Sequence, residues 1–372
     1  MRILVVKFPN VENEVCQKLC EIAETLEYDI TGIVSVEKEK NFHPYLIANH
    51  QVYPLAQMPN FSWDKAIFTC ENKIFKEISP KLIEMGFITE DNAEISFWLL
   101  KQLMIQKYED VGDPAIQETL EYWKTNPFSV FNQHIPRNKG TFDRVFFYDP
   151  CGLPNTYFKT VDGKYRKMFF PQDYPFFVYK GEQFVENLMA EQLPTSPHLY
   201  TKGEHKVNAG DIVIDAGVCE GNFALRYVDI CSKIYLFECD LKWLEALNQT
   251  FRDYRDKVEI IPKFLSDVTD GEQITIDDAI PNLRGKNIFL KMDIEGAEPK
   301  ALHGAKNLLT NNFVKASVCA YHNADDCVKI KSIFQNFGYK TSTSSGWMVY
   351  IFDPKILDTA DFRKGIVYAE NY

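Results

Sequence analysis

The chain has 372 residues, more than one hydrophobic core usually organises, so its length favours about two domains. Its net charge is −11 and no run of Lys or Arg supplies a basic face, which argues against nucleic acid as a partner. No stretch of about 18 apolar residues is present to span a membrane, and nine scattered cysteines without metal-ligand spacing are typical of a reduced, cytoplasmic protein.

Residues 1–130 alternate short apolar runs with helical patterns, which predicts an N-terminal α/β domain with a parallel sheet. We expect strands at 3–6, 29–34 and 65–69, helices at 11–26 and 74–85, and a helical bridge at 91–125. The turn after the first strand, Lys7–Glu14, contains no glycine. A structural or partner-docking role is therefore favoured over dinucleotide binding for this domain.

Residues 131–200 are predicted to be a linker with an antiparallel β-hairpin region, because aromatic and polar residues alternate over 140–180 between turn signals. An α/β pattern returns in a second domain, residues 201–372. Its strands are expected at 212–214, 234–237, 258–262, 288–292 and 317–321. Residues 339–342 and 347–352 lie close together in the sequence and are expected to form a terminal antiparallel hairpin.

The first motif that points to a ligand is the turn Asp215-Ala-Gly217-Val218-Cys-Glu-Gly221-Asn222, directly after an apolar strand. Glycine lets the backbone approach a ligand closely, and the start of the following helix favours a carboxylate such as that of a methionine group. Asp215 is expected to meet an ammonium group, which a pyrophosphate cofactor lacks. A tight strand-to-helix turn without a ligand is the alternative.

Glu238 ends the next predicted strand, 21 residues after Gly217. A carboxylate at this place accepts hydrogen bonds from both ribose hydroxyls of an adenosine cofactor. Dehydrogenases use the same device, so Glu238 indicates adenosine without indicating methyl transfer. A solvated acid at a strand end is the alternative.

The third motif, Lys291-Met-Asp293-Ile-Glu295-Gly-Ala-Glu, follows another apolar run. Lys291 and Asp293 are two residues apart on a strand, so they are expected to share a face and to pair with each other. Asp293 lies at the carboxyl end of the strand, where open α/β sheets bind their ligands. A charge-paired strand end without a ligand is the alternative.

His322 ends the next predicted strand, which places it beside Asp293. An imidazole there can take the proton from a hydroxyl group, a contribution of roughly 10²–10⁴ in rate. It can instead bind a divalent ion together with Asp293 or Glu295. A purely structural histidine is the third reading.

The succession of VIDAGVCEGNFAL, IYLFECD, FLSD, ITIDDAI, IFLKMDIEGAE and AYHNADD resembles the FkbM family of methyltransferases, and EQLPTSPHLY resembles a lead-in found in one branch of that family. The resemblance covers about residues 140–372. It implies an α/β, class I methyltransferase-like Rossmann fold: a seven-stranded mixed sheet between helices, with the last strand antiparallel. Here that domain is preceded by a smaller α/β domain and a β-hairpin segment.

The resemblance also implies roles for individual residues. Asp215, Gly217 and Gly221 would hold the methionine part of S-adenosylmethionine, and Glu238 the ribose. Further positions follow from the same comparison: Ser266 and Asp267 at the adenine, Lys291, Asp293, Glu295 and His322 on the acceptor side, and Glu191, His198 and Tyr200 at the methionine end. Cys219 departs from the family, which has a small residue at this position of the loop.

Together these observations predict an S-adenosylmethionine-dependent O-methyltransferase that acts on a sugar hydroxyl, either of a nucleotide-activated sugar or of a bacterial surface polysaccharide. Aromatic side chains are expected to form walls around the acceptor: Phe147, Tyr148, Tyr157, Tyr165 and Trp347. The alternatives are an NAD-dependent oxidoreductase and a non-catalytic partner-binding protein that keeps the fold. Metal dependence and self-association are left open.

Overall fold

The computed structural model describes residues 1–9, 11–36, 45–69, 72–125, 147–148, 153–171, 191–349 and 361–372. Backbone contacts divide the chain into two compact units, one formed by 1–130 with 349–361 and the other by 131–348 with 362–372. Each unit is built on its own large β-sheet. Among the described residues, no helix combines the length and the apolar character that a bilayer-crossing segment needs.

The N-terminal unit contains a six-stranded sheet in the order β3-β4-β2-β1-β5-β6, parallel except for β3. Its strands are β1 (Arg2–Lys7), β2 (Asp29–Ser35), β3 (Leu46–Ile47), β4 (His50–Pro54), β5 (Lys65–Phe68) and β6 (Ala93–Ile95). Its helices are α1 (Asn13–Thr25), α2 (Asn72–Glu84), α3 (Phe97–Tyr108) and α4 (Pro114–Thr125), with a 3₁₀ helix at Leu55–Asn60.

The central strand of this sheet is apolar on both faces because both faces are covered. Ile3 and Val5 pack in one buried cluster, while Leu4 and Val6 pack in another. The expectation of continuous helix over 91–125 is wrong at its start, where β6 pairs with β5. A three-residue strand is too short to produce a periodic pattern that distinguishes it from a helix.

The C-terminal unit contains a seven-stranded sheet in the order β12-β11-β10-β15-β16-β20-β17. Five neighbouring strands run parallel, and β20 runs antiparallel to both of its neighbours. The strands are β10 (Ile212–Ala216), β11 (Lys233–Phe237), β12 (Val258–Ile261), β15 (Asn287–Met292), β16 (Phe313–Cys319), β17 (Lys340–Thr343) and β20 (Ile366–Glu370). This order and direction are those of the class I methyltransferase-like fold, as predicted.

Helices pack on both faces of this sheet. Val213 and Phe289 belong to one buried cluster, and Ile214 and Leu290 belong to another. The helices are α5 (Asn222–Tyr227), α6 (Leu241–Thr250), α7 (Ile276–Ala279), α8 (Glu298–His303), α9 (Lys306–Asn311) and α10 (Asp326–Asn336), with a 3₁₀ turn at Arg252–Tyr254. Two short strands, β13 (Phe264–Leu265) and β14 (Gln273–Ile274), pair with each other outside the large sheet.

The predicted hairpin region forms a three-stranded antiparallel sheet of β7 (Phe147–Tyr148), β8 (Pro154–Lys159) and β9 (Tyr165–Phe169). Hydrogen bonds attach it to the rest of the C-terminal unit. The Arg166 guanidinium donates to both carboxylate oxygens of Asp229 at 3.1 and 3.0 Å, and the Phe169 amide donates to the Thr250 hydroxyl at 2.9 Å.

The expected pairing of 339–342 with 347–352 is wrong. Strand β17 pairs instead with β20, whose residues are buried on both faces of the sheet. Burying the apolar strand β20 between two neighbouring strands stabilises the fold more than the short loop of a local hairpin would. Residues Met348–Val349 form β18, which pairs with β19 (Phe362–Arg363), and 350–352 lie outside the described residues.

Candidate functional site

The turn after β10 touches the turn after β15 through backbone atoms. Gly217 has φ +75°, and a Cβ at this position would lie 1.6 Å from the Asp293 carbonyl oxygen. A side chain of any size is therefore excluded here. Gly221, with φ +79°, precedes α5, and its Cβ would lie 2.9 Å from the Phe251 ring. The two glycines thus hold the turn close to the neighbouring strand end and to α6.

A buried ion pair fixes the base of this turn. Asp215 and Lys291 stand opposite each other on β10 and β15, and Lys291 Nζ lies 3.1 Å from Asp215 Oδ1. The same ammonium donates to the Gly217 carbonyl oxygen at 2.5 Å. Burial lowers the pKa of Lys291, but the charges of Asp215 and Asp293 outweigh burial and raise it, so the lysine stays protonated.

Two sequence expectations change at this pair. Lys291 was expected to pair with Asp293, yet its ion-pair partner is Asp215. Strand β15 ends at Met292, so Asp293 no longer follows the strand's alternation of faces. Asp215 was expected to meet the ammonium group of a ligand. Its side chain is only 1% exposed, and the ammonium group that it contacts is that of Lys291.

Glu238 lies at the end of β11 and is held by two backbone amides. The Cys219 amide donates to Glu238 Oε2 and the Asp240 amide donates to Oε1, both at 2.8 Å. Cys219, the departure from the FkbM pattern, has φ +47° and contributes here through its backbone. Glu238 therefore joins the glycine turn to the end of the next strand, and the direction of its carboxylate is fixed.

Glu220, in the same turn, is buried, and burial raises its pKa to about 8. This carboxyl group is therefore largely neutral at pH 7, and the charge of Asp215 is balanced by Lys291.

Asp293 is surrounded by hydrogen-bond donors from two segments, residues 198–200 and residues 321–322. The Tyr200 hydroxyl donates to Oδ2 at 2.8 Å and the Tyr321 hydroxyl to Oδ1 at 3.3 Å. Nε2 of His198 lies 3.6 Å from Oδ2, and Nε2 of His322 lies 3.5 Å from Oδ1. Burial would raise the pKa of Asp293, but the hydrogen bond and charge of His198, with Lys291 and His322, hold it well below its usual range. Asp293 is thus a fixed anion and a weak proton acceptor.

The lead-in segment before the C-terminal sheet supplies part of this cluster. His198 Nδ1 lies 3.5 Å from Glu191 Oε2, and its Nε2 lies 3.4 Å from Cys319 Sγ. The sequence associated Glu191, His198 and Tyr200 with a cofactor's methionine end, and the structure places His198 and Tyr200 directly against Asp293. Sequence reasoning missed Cys319 and Tyr321, although their alternation with Ala320 puts both on one face of the strand end.

His322 lies between carboxylates on both sides of its ring. Nε2 is 3.5 Å from Asp293 Oδ1 and from Glu295 Oε2, and Nδ1 is 3.1 Å from Glu298 Oε1. Burial lowers the pKa of His322, but the hydrogen bond to Glu298 and the charge of Asp293 outweigh burial and raise it. Glu295 has φ +57° and an 84% exposed side chain, whereas Glu298 is fully buried. Glu298 lay within the third motif, but it was not singled out.

In the described part of the chain, two trios of possible metal ligands have donor atoms within 4.8 Å of one another: His198, Asp293 and Cys319, and Asp293, Glu298 and His322. In both trios the donor atoms already contact each other or neighbouring hydroxyls. These contacts explain why the donor atoms lie close together, since both trios belong to one hydrogen-bonded cluster around Asp293.

Other predicted residues lie apart from this cluster. Ser266 is buried, donates to Asp267 Oδ1 at 3.2 Å and packs through its carbonyl oxygen against Gly304. Tyr157 and Tyr165 are 41% and 42% exposed on the small sheet. The Lys364 ammonium lies 3.6 Å from the centre of the Trp347 ring. The side chains of the two other predicted aromatic residues lie outside the described part of the chain: Phe147 and Tyr148.

A pocket lies beside α5 and is lined in part by Tyr200. Asn222 and Arg226 line it from one face of the helix, together with Phe158 of β8. Val218, also predicted at the site, is buried and accepts the Gly221 amide through its carbonyl oxygen. Tyr200 therefore connects this pocket to Asp293.

No protein-family model and no curated protein matches the sequence. Among solved structures, the chain is similar to the methyltransferase FkbM from Methylobacillus flagellatus, with 14% identity, coverage of 99% of this chain and 89% of that one, and a TM-score of 0.40.

Two further likenesses cover less than half of the chain. Precorrin-6y C5,15-methyltransferase from Geobacter metallireducens has 10% identity, covering 45% of this chain and 85% of that one, with a TM-score of 0.31. A Streptococcus mutans protein in complex with SAH has 15% identity, covering 44% and 91%, with a TM-score of 0.28. At these values, function has to be argued from the site itself.

Replacing Gly217 by alanine tests the contact between the two turns. Gly217→Ala introduces a Cβ that would lie 1.6 Å from the Asp293 carbonyl oxygen, so the turn has to move. Gly210→Ala is the matched control, because Gly210 has φ +85° but no atom within 4 Å of a Cβ. Backbone strain alone costs about 1–2 kcal/mol. We expect Gly217→Ala to cost at least about 2 kcal/mol more in chemical denaturation. Equal costs would contradict the contact.

Proposed function

We propose that this chain is an S-adenosylmethionine-dependent O-methyltransferase of the FkbM type. The observation that carries the proposal is the carboxyl edge of β10, β11 and β15. There a glycine turn without room for a side chain lies beside the Glu238 carboxylate, which two backbone amides hold in place. This arrangement suits the ribose of an adenosine cofactor.

The charge at this edge favours a cationic cofactor. Asp293 is a fixed anion, the positive charge of Lys291 is balanced by Asp215, and His198 contacts Glu191 as well as Asp293. A sulfonium group is attracted to such a site, and the pyrophosphate of NAD is repelled by it.

The residues present fit S-adenosylmethionine in size and charge. We propose that the turn from Asp215 to Asn222 holds the methionine part, with Tyr200 near it, and that Glu238 holds the ribose. Ser266 and Asp267 are proposed to border the adenine. Because α5 has only six residues, the glycine backbone is assigned more of the binding than the helix dipole.

When bound, this cofactor supplies a methyl group whose C–S bond breaks, with both electrons staying on sulfur, as the acceptor oxygen bonds to the carbon. The protein has to align the acceptor and take one proton from its hydroxyl. We assign the proton to His322 Nε2, because the pKa of Asp293 is too low for an effective base. Asp293 remains ionised, and Glu295 lies at the exposed rim beside His322.

We propose a hydroxyl of a sugar as the acceptor, in a nucleotide-activated sugar or a bacterial surface polysaccharide. This choice rests on the resemblance of the sequence to the FkbM family, whose members commonly methylate hydroxyl groups of sugars. The N-terminal α/β unit is proposed to be an accessory domain.

Calorimetric titration with S-adenosylhomocysteine and with NADH tests the cofactor. We expect S-adenosylhomocysteine alone to bind, and Glu238→Gln to weaken it about 10- to 100-fold, the cost of losing hydrogen bonds to a charged group. Glu259→Gln, an exposed acid on the neighbouring β12, serves as the control and should bind like the wild type. Binding of NADH in place of S-adenosylhomocysteine would identify an oxidoreductase instead.

The acceptor is tested by incubating nucleotide-sugars and surface polysaccharide with labelled S-adenosylmethionine, with and without a chelator. We expect a methylated sugar, and His322→Ala should lower kcat roughly 10²- to 10⁴-fold. Comparing the reactions with and without the chelator shows whether the activity depends on a metal ion. If S-adenosylmethionine binds, no acceptor is methylated, and His322→Ala cells behave like the wild type, the protein is a non-catalytic binding partner.

A further inference from the structure

Glu298 is a buried acid that the proposed reaction does not yet use. It is the first residue of α8, and its exposed fraction is 0%. Its Oε1 accepts the Ile294 amide at 2.8 Å and lies 3.1 Å from His322 Nδ1. Its Oε2 is buried without a hydrogen-bond partner among the described residues. Burying a carboxylate is costly, so a group that keeps its charge here requires a donor close by.

The His322 ring supplies that donor, and this sets its tautomer. An ionised carboxylate can only accept, so the nitrogen that faces Glu298 has to carry hydrogen. In the neutral ring, Nδ1 is then the protonated nitrogen and Nε2 carries the lone pair. Nε2 is also the nitrogen that faces Asp293 and Glu295, each at 3.5 Å. The basic nitrogen therefore points to the candidate acceptor side.

We propose that Glu298 is the positioning residue of the site: it holds Nδ1–H of His322 so that Nε2 receives the proton of the acceptor hydroxyl. This inference rests on the proposed methyl transfer and adds a residue to it. The proton moves from the acceptor oxygen to Nε2 as that oxygen bonds to the methyl carbon. The imidazolium then shares its two protons between Glu298 and the Asp293 side until water removes one.

The surroundings of His322 include charges from several segments. Glu298 comes from α8, Asp293 and Glu295 from the turn after β15, and Asp326 from α10. Tyr321 stacks on the ring at 4.2 Å, and the Arg363 guanidinium donates to the His322 carbonyl oxygen at 2.8 Å. Glu298 is the acid nearest to either ring nitrogen, at 3.1 Å against 3.5 Å for Asp293 and Glu295.

Glu298→Gln is the informative variant because it keeps shape and removes charge. Because Oε1 faces both the Ile294 amide and Nδ1, the amide oxygen of glutamine at this place can accept from both, but without the negative charge that holds Nδ1–H and stabilises the imidazolium. We expect kcat to fall about 10²- to 10⁴-fold. The dissociation constant of S-adenosylhomocysteine should stay within about twofold, since Glu298 is not among the residues assigned to the cofactor. Glu298→Asp should recover part of the rate.

The pH profile gives a second readout. In the wild type the base is neutral only above its raised pKa, so activity should rise as the pH passes through a value above 6.5. Loss of the Glu298 charge lowers that pKa, so the rise in Glu298→Gln should begin at lower pH. Asp211→Asn is the matched control, because Asp211 is also buried and accepts a backbone amide, that of Asn208, but lies at the amino end of β10, at the opposite edge of the sheet from His322. Its profile should follow the wild type.

The tautomer is measured directly by ¹⁵N NMR of histidine-labelled protein, which does not depend on activity or on an acceptor. We expect hydrogen on Nδ1 of His322 in the wild type, and a larger share of the Nε2–H tautomer in Glu298→Gln, where the charge that favours Nδ1–H is lost. Hydrogen on Nε2 in the wild type, or an unchanged kcat in Glu298→Gln, overturns the inference. If Glu298→Gln does not fold, the wild-type spectrum still tests the inference, because it shows which ring nitrogen of His322 carries hydrogen. Failure of the wild type to bind S-adenosylhomocysteine instead overturns the proposed function itself.

Discussion

The buried ion pair between Asp215 and Lys291 is the contact on which the rest of the site depends. It joins the two central strands of the C-terminal sheet at their carboxyl ends, and Lys291 also holds the Gly217 carbonyl oxygen. Breaking such a pair by removing one partner typically costs about 3–5 kcal/mol, because a buried charge is left uncompensated. The pair therefore sets the distance between the glycine turn and Asp293, and it removes Lys291 from direct ligand recognition.

The acids of the site are of two kinds. Glu238 and Asp293 each accept hydrogen bonds from neighbouring donors, and the lowered pKa of Asp293 keeps that acid ionised, which gives the edge a negative potential suited to a cation. Glu298 instead faces a histidine from inside the protein. Both histidines of the cluster, His198 and His322, flank Asp293, and each has a second carboxylate on its other ring nitrogen. Asp293 thus organises the cluster, and His322 is left as its proton acceptor.

Much of this fold could be predicted from the sequence, because five buried parallel strands produce clear apolar runs and the glycine turn has a sequence signature. The pairing of strands that lie far apart in the sequence could not be predicted. Strand β20 lies 23 residues after the end of β17, and only the sheet shows that they are neighbours. The partner of Lys291 was missed for the same reason, since Asp215 is 76 residues away in sequence. In the sequence, Glu298 is one of several acids in the third motif. The structure shows that Glu298 is buried whereas Glu295 is exposed.

The central claim is that the turn from Asp215 to Asn222, with Glu238, binds the amino-acid end and the ribose of a sulfonium nucleoside. A crystal structure of the protein with S-adenosylhomocysteine tests it most directly. We expect both ribose hydroxyls within hydrogen-bond distance of the Glu238 carboxylate and the sulfur directed towards Asp293. Density for the nucleoside elsewhere in the chain, or a pocket at Glu238 left without it at saturating concentration, would contradict the account.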